Sequence, residues 1–168
     1  MQLNVAIHDE AVQAMLNRLA QRVADMRPAL QEIGLRYERS VLENFRAEKA
    51  PDGAPWTPNA PATLLARQRR AKSKKAKQNA VANKKILVDT GALYGGVHSQ
   101  ASGASVTIGV GGHIPYARIH QFGGRAGRGR KVTLPARPYL ALNRGGSLEL
   151  ADKDRTMIIE VLRRHLHE

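Results

Sequence analysis

Residues 114–130, IPYARIHQFGGRAGRGR, hold the densest set of side chains able to do chemistry. Tyr116, Arg118, His120 and Gln121 come first, then Gly123 and Gly124, then the cations Arg125, Arg128 and Arg130, with Lys131 next along the chain. One chemistry open to such a set is metal or acid–base work at histidine. His113 precedes His120 by seven residues, neither has a carboxylate beside it, and the chain has no cysteine, so no HExxH pair or zinc spacing forms. His165 and His167, at the end of the chain, read as solvated. A second chemistry is a phosphate cradle. GVGGH at 109–113 fails the G-x-G-x-x-G pattern because Ile114 stands at its last position, and GGRAGRGR lacks the Lys-Ser/Thr ending of a P-loop.

The third reading is structural. Pro115, Tyr116, Ile119 and Phe122 are residues that pack a corner, Gly123 and Gly124 turn the chain where φ must be positive, and His120 and Gln121 satisfy backbone groups inside the corner. A Phe122→Ala truncation in such a corner would cost about 3–5 kcal/mol. The segment 123–131 then reads as a flexible Gly/Arg loop suited to phosphates or an acidic partner.

Charge distribution supports that last point. The formal net charge is +13, and residues 53–148 carry sixteen Lys or Arg against one acid, Asp89. The two ends together are slightly acidic. A cationic middle favours a polyanionic neighbour, nucleic acid or an acidic protein surface, over an inert solvated face. It disfavours a nuclease, because phosphodiester cleavage draws on several carboxylates to hold divalent ions. No G-x-S-x-G elbow occurs either. The expectation is a protein with no catalytic residue, metal or cofactor. Only one Trp, two Phe and four Tyr are present, too few to interleave with the cations for stacking on single strands.

The elements that position these residues follow from periodicity. MQLNVAI is a candidate short strand. Asp9 is placed to cap a helix carrying Val12, Leu16, Leu19 and Val23. Pro28 opens a second helix with an apolar stripe of Leu30, Ile33, Tyr37, Val41, Leu42 and Phe45, expected to end near Ala50 because Pro51 follows. Residues 50–63 form a turn-rich connector in which Trp56 reads as an anchor to the core. Residues 64–86 hold nine basic residues and no acid: Arg67, Arg69, Arg70, Lys72, Lys74, Lys75, Lys77, Lys84 and Lys85. Their apolar stripe is thin, so they read as an exposed basic helix or arm that orders on contact and supplies the polyanion contacts. Asp89 or Thr90 caps a short element ended by Gly95–Gly96. Residues 97–111 read as a hairpin around SGAS, with Val106, Ile108 and Val110 on one face. Arg118–Phe122 form one helical turn, residues 131–142 are extended around two prolines, and residues 149–167 form an amphipathic helix.

This order predicts one α+β domain over residues 1–168, with N-terminal helices and a C-terminal helix packed on a small antiparallel sheet and a basic arm at 64–86. The N-terminus does not look like a signal peptide, and no stretch approaches the roughly 18 apolar residues of a membrane span, so a soluble product made in the cytoplasm with no membrane partner is expected.

The order APDGAPWTPNAPATLLARQRR, ILVDTGALYGGV, YARIHQFGG and LPARPYLAL resembles the phage virion morphogenesis family, the tail-completion group of Mu-like and P2-like tailed phages. The resemblance covers roughly residues 30–145. The residues that match are Asp52, Gly53, Trp56, Pro58 and Thr63; Asp89, Thr90, Gly91 and Leu93; Tyr116, Ala117, Ile119, His120, Gln121, Phe122, Gly123 and Gly124; and Pro135, Ala136, Arg137, Pro138 and Leu140. IHQFGG followed by ARPYL is the specific pair. The chain departs from the family at Asn59, at Tyr94–Gly96 and at Tyr139, where Leu, a Ser-containing turn and Phe are common. The resemblance implies a structural protein without a catalytic step. It implies a place at the head–tail junction or tail end of the virion, a homo-oligomeric ring against other neck and tail proteins, and nonspecific proximity to double-stranded DNA. The reading from a different class is a free, sequence-nonspecific nucleic-acid-binding protein; a DNA-acting enzyme is the third.

Overall fold

The computed structural model describes residues 9–71 and 85–167. The candidate strand at 1–7 and the cations Lys72, Lys74, Lys75, Lys77 and Lys84 lie outside them. Helix α1 spans Glu10–Ala24, α2 Arg27–Ala47, α3 Pro61–Arg70 and the short α4 Ala92–Gly95. Strands β1 (Val97–Ala101) and β2 (Val106–Val110) follow, then α5 (Ala117–Phe122), β3 (Gly124–Ala126), a 3-10 turn at Arg128–Arg130 and β4 (Val132–Leu134). Strands β5 (Leu142–Arg144) and β6 (Ser147–Glu149) precede the closing helix α6 (Asp152–His167).

The architecture is α+β, with helices at both ends as expected. The strands form three separate antiparallel ribbons, β1–β2, β3–β4 and β5–β6, where a single small sheet had been expected. Each ribbon is a local hairpin, and none of the three extends another.

Helix α2 is the axis of the fold. Its stripe of Ile33, Tyr37, Val41 and Phe45 is buried, and Pro28 sits in its first turn as the sequence predicts. It ends at Ala47, three residues before the expected Ala50. Glu48 takes a left-handed conformation there, and the chain doubles back so that Trp56 N–H donates to Glu48 O at 2.9 Å. The β1–β2 hairpin, paired from Val97↔Val110 to Ala101↔Val106, lies on α2. Gly34 permits that approach, because a Cβ at this position would come within 2.7 Å of Ser99 Oγ. Beside it the Glu38 carboxylate accepts from Ser99 N–H.

Two apolar clusters result. The larger gathers Tyr37, Val41, Phe45, Trp56, Leu93, Ile114 and Tyr139, with Phe45 meeting Trp56 edge-on at 5.5 Å between ring centroids. The smaller joins Ala29 and Ile33 of α2 to Val161 of α6. Ile86 and Leu87 are buried in the larger cluster, so the far end of the 64–86 segment belongs to the body of the domain.

Helix α1 is different. Asp9 caps it, accepting from Ala11 and Val12 N–H, and yet it buries no residue. Its attachment is polar: Arg22 Nη1 donates to His165 O at 2.6 Å, at the end of α6. Val12, Met15, Leu16 and Val23 stay exposed.

Candidate functional site

The motif residues converge on the extended segment Arg137–Ala141, which is buried or half-buried yet belongs to no β-ladder. A buried backbone polar group must find a partner, and here side chains supply six of them. Trp56 Nε1 donates to Pro138 O at 2.8 Å, Asn44 Nδ2 to Tyr139 O at 3.1 Å, the Tyr37 hydroxyl to Leu140 O, and Gln121 Nε2 to Ala141 O at 2.6 Å. Gln121 Oε1 accepts from both Tyr139 N–H and Leu140 N–H, at 3.0 and 3.1 Å. Arg137 N–H donates to His120 O at 2.8 Å, and Pro138 has no N–H to satisfy.

The Arg137 side chain extends the same logic outward. Its Nε and Nη2 donate to Thr57 O and Pro58 O at 2.8 and 2.9 Å, fixing the connector to the segment. Burial first, and then the neighbouring Arg67, lower the pKa of its guanidinium. Burial pushes the Tyr139 phenol up to about 12, while its hydroxyl reaches Ala117 O at 3.1 Å. The Tyr37 phenol is raised by burial and then by the Asp154 carboxylate. Burial, and then the charge of Arg137, lower the pKa of His120.

Gln121 therefore does what the corner reading asked of it, and Gly123 and Gly124 turn the chain with φ of 71° and 142°. A Cβ on Gly123 would press within 2.7 Å of Ala136 N. The apolar part of the reading needs correction. Tyr116 and Phe122 are 42% and 39% exposed, and Pro115 is exposed too. Ile114 and the side chain of Gln121 occupy the interior instead, and the Arg118 guanidinium lies 5.8 Å from the centroid of the Phe122 ring. The 3–5 kcal/mol cost expected for Phe122→Ala belongs to a buried ring and does not apply here. His120 also departs from the expectation, since its Nδ1 is buried without a hydrogen-bond partner.

The remaining residues singled out from sequence fall into three places. Asp89, Thr90, Gly91, Tyr116, His120 and Arg137 line one cleft of about 720 Å³, together with Arg67 and Arg70 of α3. Asp89 does not cap α4, because Gly91, with φ of 83°, holds the N-cap position. The Asp89 carboxylate meets Arg67 Nε and Arg70 Nη2, both at 3.3 Å. Trp56, Gln121, Phe122 and Pro138 border a smaller hollow of about 390 Å³. Arg125, Arg128, Arg130 and Lys131 are all exposed on the β3–β4 ribbon, which is a paired hairpin where a flexible loop had been expected. Arg69 is exposed on α3, and Lys85 Nζ donates to Arg46 O at 2.8 Å. Arg67 is 92% buried through its side chain, unlike the neighbouring Arg69 and Arg70, which are exposed.

Sequence reading missed the polar roles of Tyr37 and Asn44. They stand seven residues apart on one face of α2, and that spacing was the available signal. Ser40 and Asp154 were missed as well: the hydroxyl donates to the buried carboxylate at 2.6 Å between α2 and α6. Among the described residues no His/Cys/Asp/Glu group is arranged to hold a metal ion. No helix among them is long and apolar enough to cross a membrane.

Comparison with known proteins agrees with the motif order. The chain is 35% identical over 133 residues to the Mu-like prophage FluMu G protein 2 of Haemophilus influenzae, covering 79% of this chain and 78% of that protein. No solved structure matches it. The model of the phage virion morphogenesis family matches residues 7–167, which takes in the connector, the Asp89 turn, the Gln121 corner and the segment they enclose. The chain belongs to the phage virion morphogenesis family, and its role lies in phage virion structure or assembly.

Proposed function

We propose that the protein is a structural component that completes the tail or neck of a tailed phage and lets it join a filled head, acting as a ring of identical copies around the DNA channel. The observation that carries this reading is α1, a 15-residue helix with no buried residue and an uncovered face of Val12, Met15, Leu16 and Val23. An isolated helix of this length is marginal in water, so a face of this kind is built to be covered by another surface. A ring uses one patch of each copy against a different patch of the next, which suits a lone uncovered face.

Two further features support the reading. Trp56, Gln121 and Arg137 spend side-chain polar groups on the chain's own backbone, as scaffold residues do. The exposed Arg125, Arg128, Arg130 and Lys131, repeated around a ring, would line a rim or lumen with positive charge and attract phosphates without regard to sequence. The exposed cation Arg69 adds to the same supply. The protein would then reside in the virion, at the head–tail junction or tail end.

The test is to disrupt the gene in its phage and image the lysate by electron microscopy. Filled heads lying apart from finished tails are expected. Normal joined particles would end the joining role and leave free, salt-sensitive DNA binding by the isolated protein as the better account.

A further inference from the structure

Among the described residues, the cleft between α3, the Asp89–Leu93 turn and the β3–β4 ribbon is lined by more guanidiniums than carboxylates. Three guanidiniums, of Arg67, Arg70 and Arg137, line it together with one carboxylate, that of Asp89. Arg137 spends its described donors on two neutral carbonyls. Arg67 gives its Nε to Asp89, and its Nη1 is buried with no hydrogen-bond partner. His120, on the same lining, leaves Nδ1 buried and unpartnered. Two orphaned polar atoms around one concave space are costly unless something completes them.

The chemistry of the missing group follows from the donor. A guanidinium N–H only donates, so the group that completes Arg67 must accept. A carboxylate answers best, because it accepts along two lone-pair directions and supplies the negative charge the lining lacks. Leu87, Leu93, Leu134 and Pro135 form the apolar part of the same lining. A DNA duplex fits poorly, since its phosphates sit on a convex rod while Arg67 is recessed.

We propose that this cleft receives a carboxylate-bearing peptide segment of a partner protein, with a Glu or Asp side chain seated against Arg67 and Arg70 and apolar neighbours on the half-buried Leu134 and Pro135. The proposal adds the chemistry of one partner to the assembly reading. Its test uses the purified protein alone, so its failure leaves the joining role standing.

The probes are the blocked peptide acetyl-Pro-Leu-Glu-Leu-Gly-amide, its Gln counterpart, and a short DNA duplex, each titrated into isotope-labelled protein and followed by backbone amide NMR. The Glu peptide should shift amides at 89–93 and 132–137 and bind about tenfold tighter than the Gln peptide, as expected for a hydrogen bond to a charged group. Arg67→Lys keeps a cation beside Asp89 but removes the planar fork, and should lose most of that preference while retaining its circular dichroism spectrum. If Arg67→Lys fails to fold, Arg70→Ala at the 69% exposed mouth carries the comparison, with a several-fold weaker Glu peptide expected. Equal binding of Glu and Gln peptides, absence of binding at millimolar peptide, or the duplex shifting the same amides in place of the peptide would each overturn the proposal.

Discussion

Segment Arg137–Ala141 and helix α1 solve opposite halves of the folding problem. The segment has no ladder, and side chains of Trp56, Asn44, Tyr37 and Gln121 supply the partners its buried backbone requires. Helix α1 satisfies its backbone internally and buries none of its side chains. One region is defined by tertiary contacts without regular structure, the other by regular structure with only a light attachment, through Arg22 and His165, to α6. The difference separates what this chain needs in order to fold from what it holds out for others. The polar groups of Trp56 and Gln121 are consumed inside, and Val12, Met15, Leu16 and Val23 of α1 are left outside.

The sharpest way to break the contrast is at Gln121, which is 3% exposed and makes three hydrogen bonds to the segment. Gln121→Ala strands two N–H groups and one carbonyl, and unpaired buried groups cost about 1–3 kcal/mol each. A destabilisation of about 3 kcal/mol or more is expected in urea unfolding. A change within about 0.5 kcal/mol would mean that water reaches the segment and that the side-chain lattice is not what holds it.

His120 sharpens the same region through pH. Its pKa in the fold lies below the ordinary histidine value of about 6.5, through burial and then the charge of Arg137. The unfolded chain therefore takes up the proton first as pH falls, and the folded form does so only at lower pH. The stability tied to neutral His120 is complete above about pH 6.5 and is lost as pH falls below it toward the folded pKa. His120→Gln should lose less of its thermal midpoint between pH 7 and pH 5 than the parent protein does. Parallel curves for the two proteins would remove His120 from the acid response.

How much of this was legible in the sequence follows the same division. The Asp9 cap, Pro28 in the first turn of α2, the SGAS hairpin, the helical turn after Pro115 and the closing helix were all readable, because each depends on neighbours a few residues away. The burial of Arg67 was not readable, since a basic run looks solvated until a distant Asp89 is placed beside it. Nor was the exposure of Phe122 and Tyr116, because an aromatic in a corner looks buried until Tyr139 and Gln121 are seen to fill the interior first. Trp56 was legible as an anchor and Gln121 as a backbone partner, while Arg137 was picked out by its resemblance to a family pattern. Their shared task, holding one ladderless segment, needed the coordinates.

The smallest expected effect on stability falls on α1, and it tests the other half of the contrast. Val12, Met15 and Leu16 are 46%, 59% and 53% exposed, so exchanging all three for Gln removes little buried area, and Gln is a good helix former. The unfolding free energy of the isolated protein should change by no more than about 0.5 kcal/mol, as for surface substitutions generally. Complementation of a gene-disrupted phage should nevertheless fail, with the variant absent from purified particles, because the uncovered stripe is what another surface would cover. A loss of about 2 kcal/mol or more would show that α1 is part of the folded monomer's own core. Full complementation with normal stability would show that the stripe has no partner, and the ring reading would lose the observation that carries it.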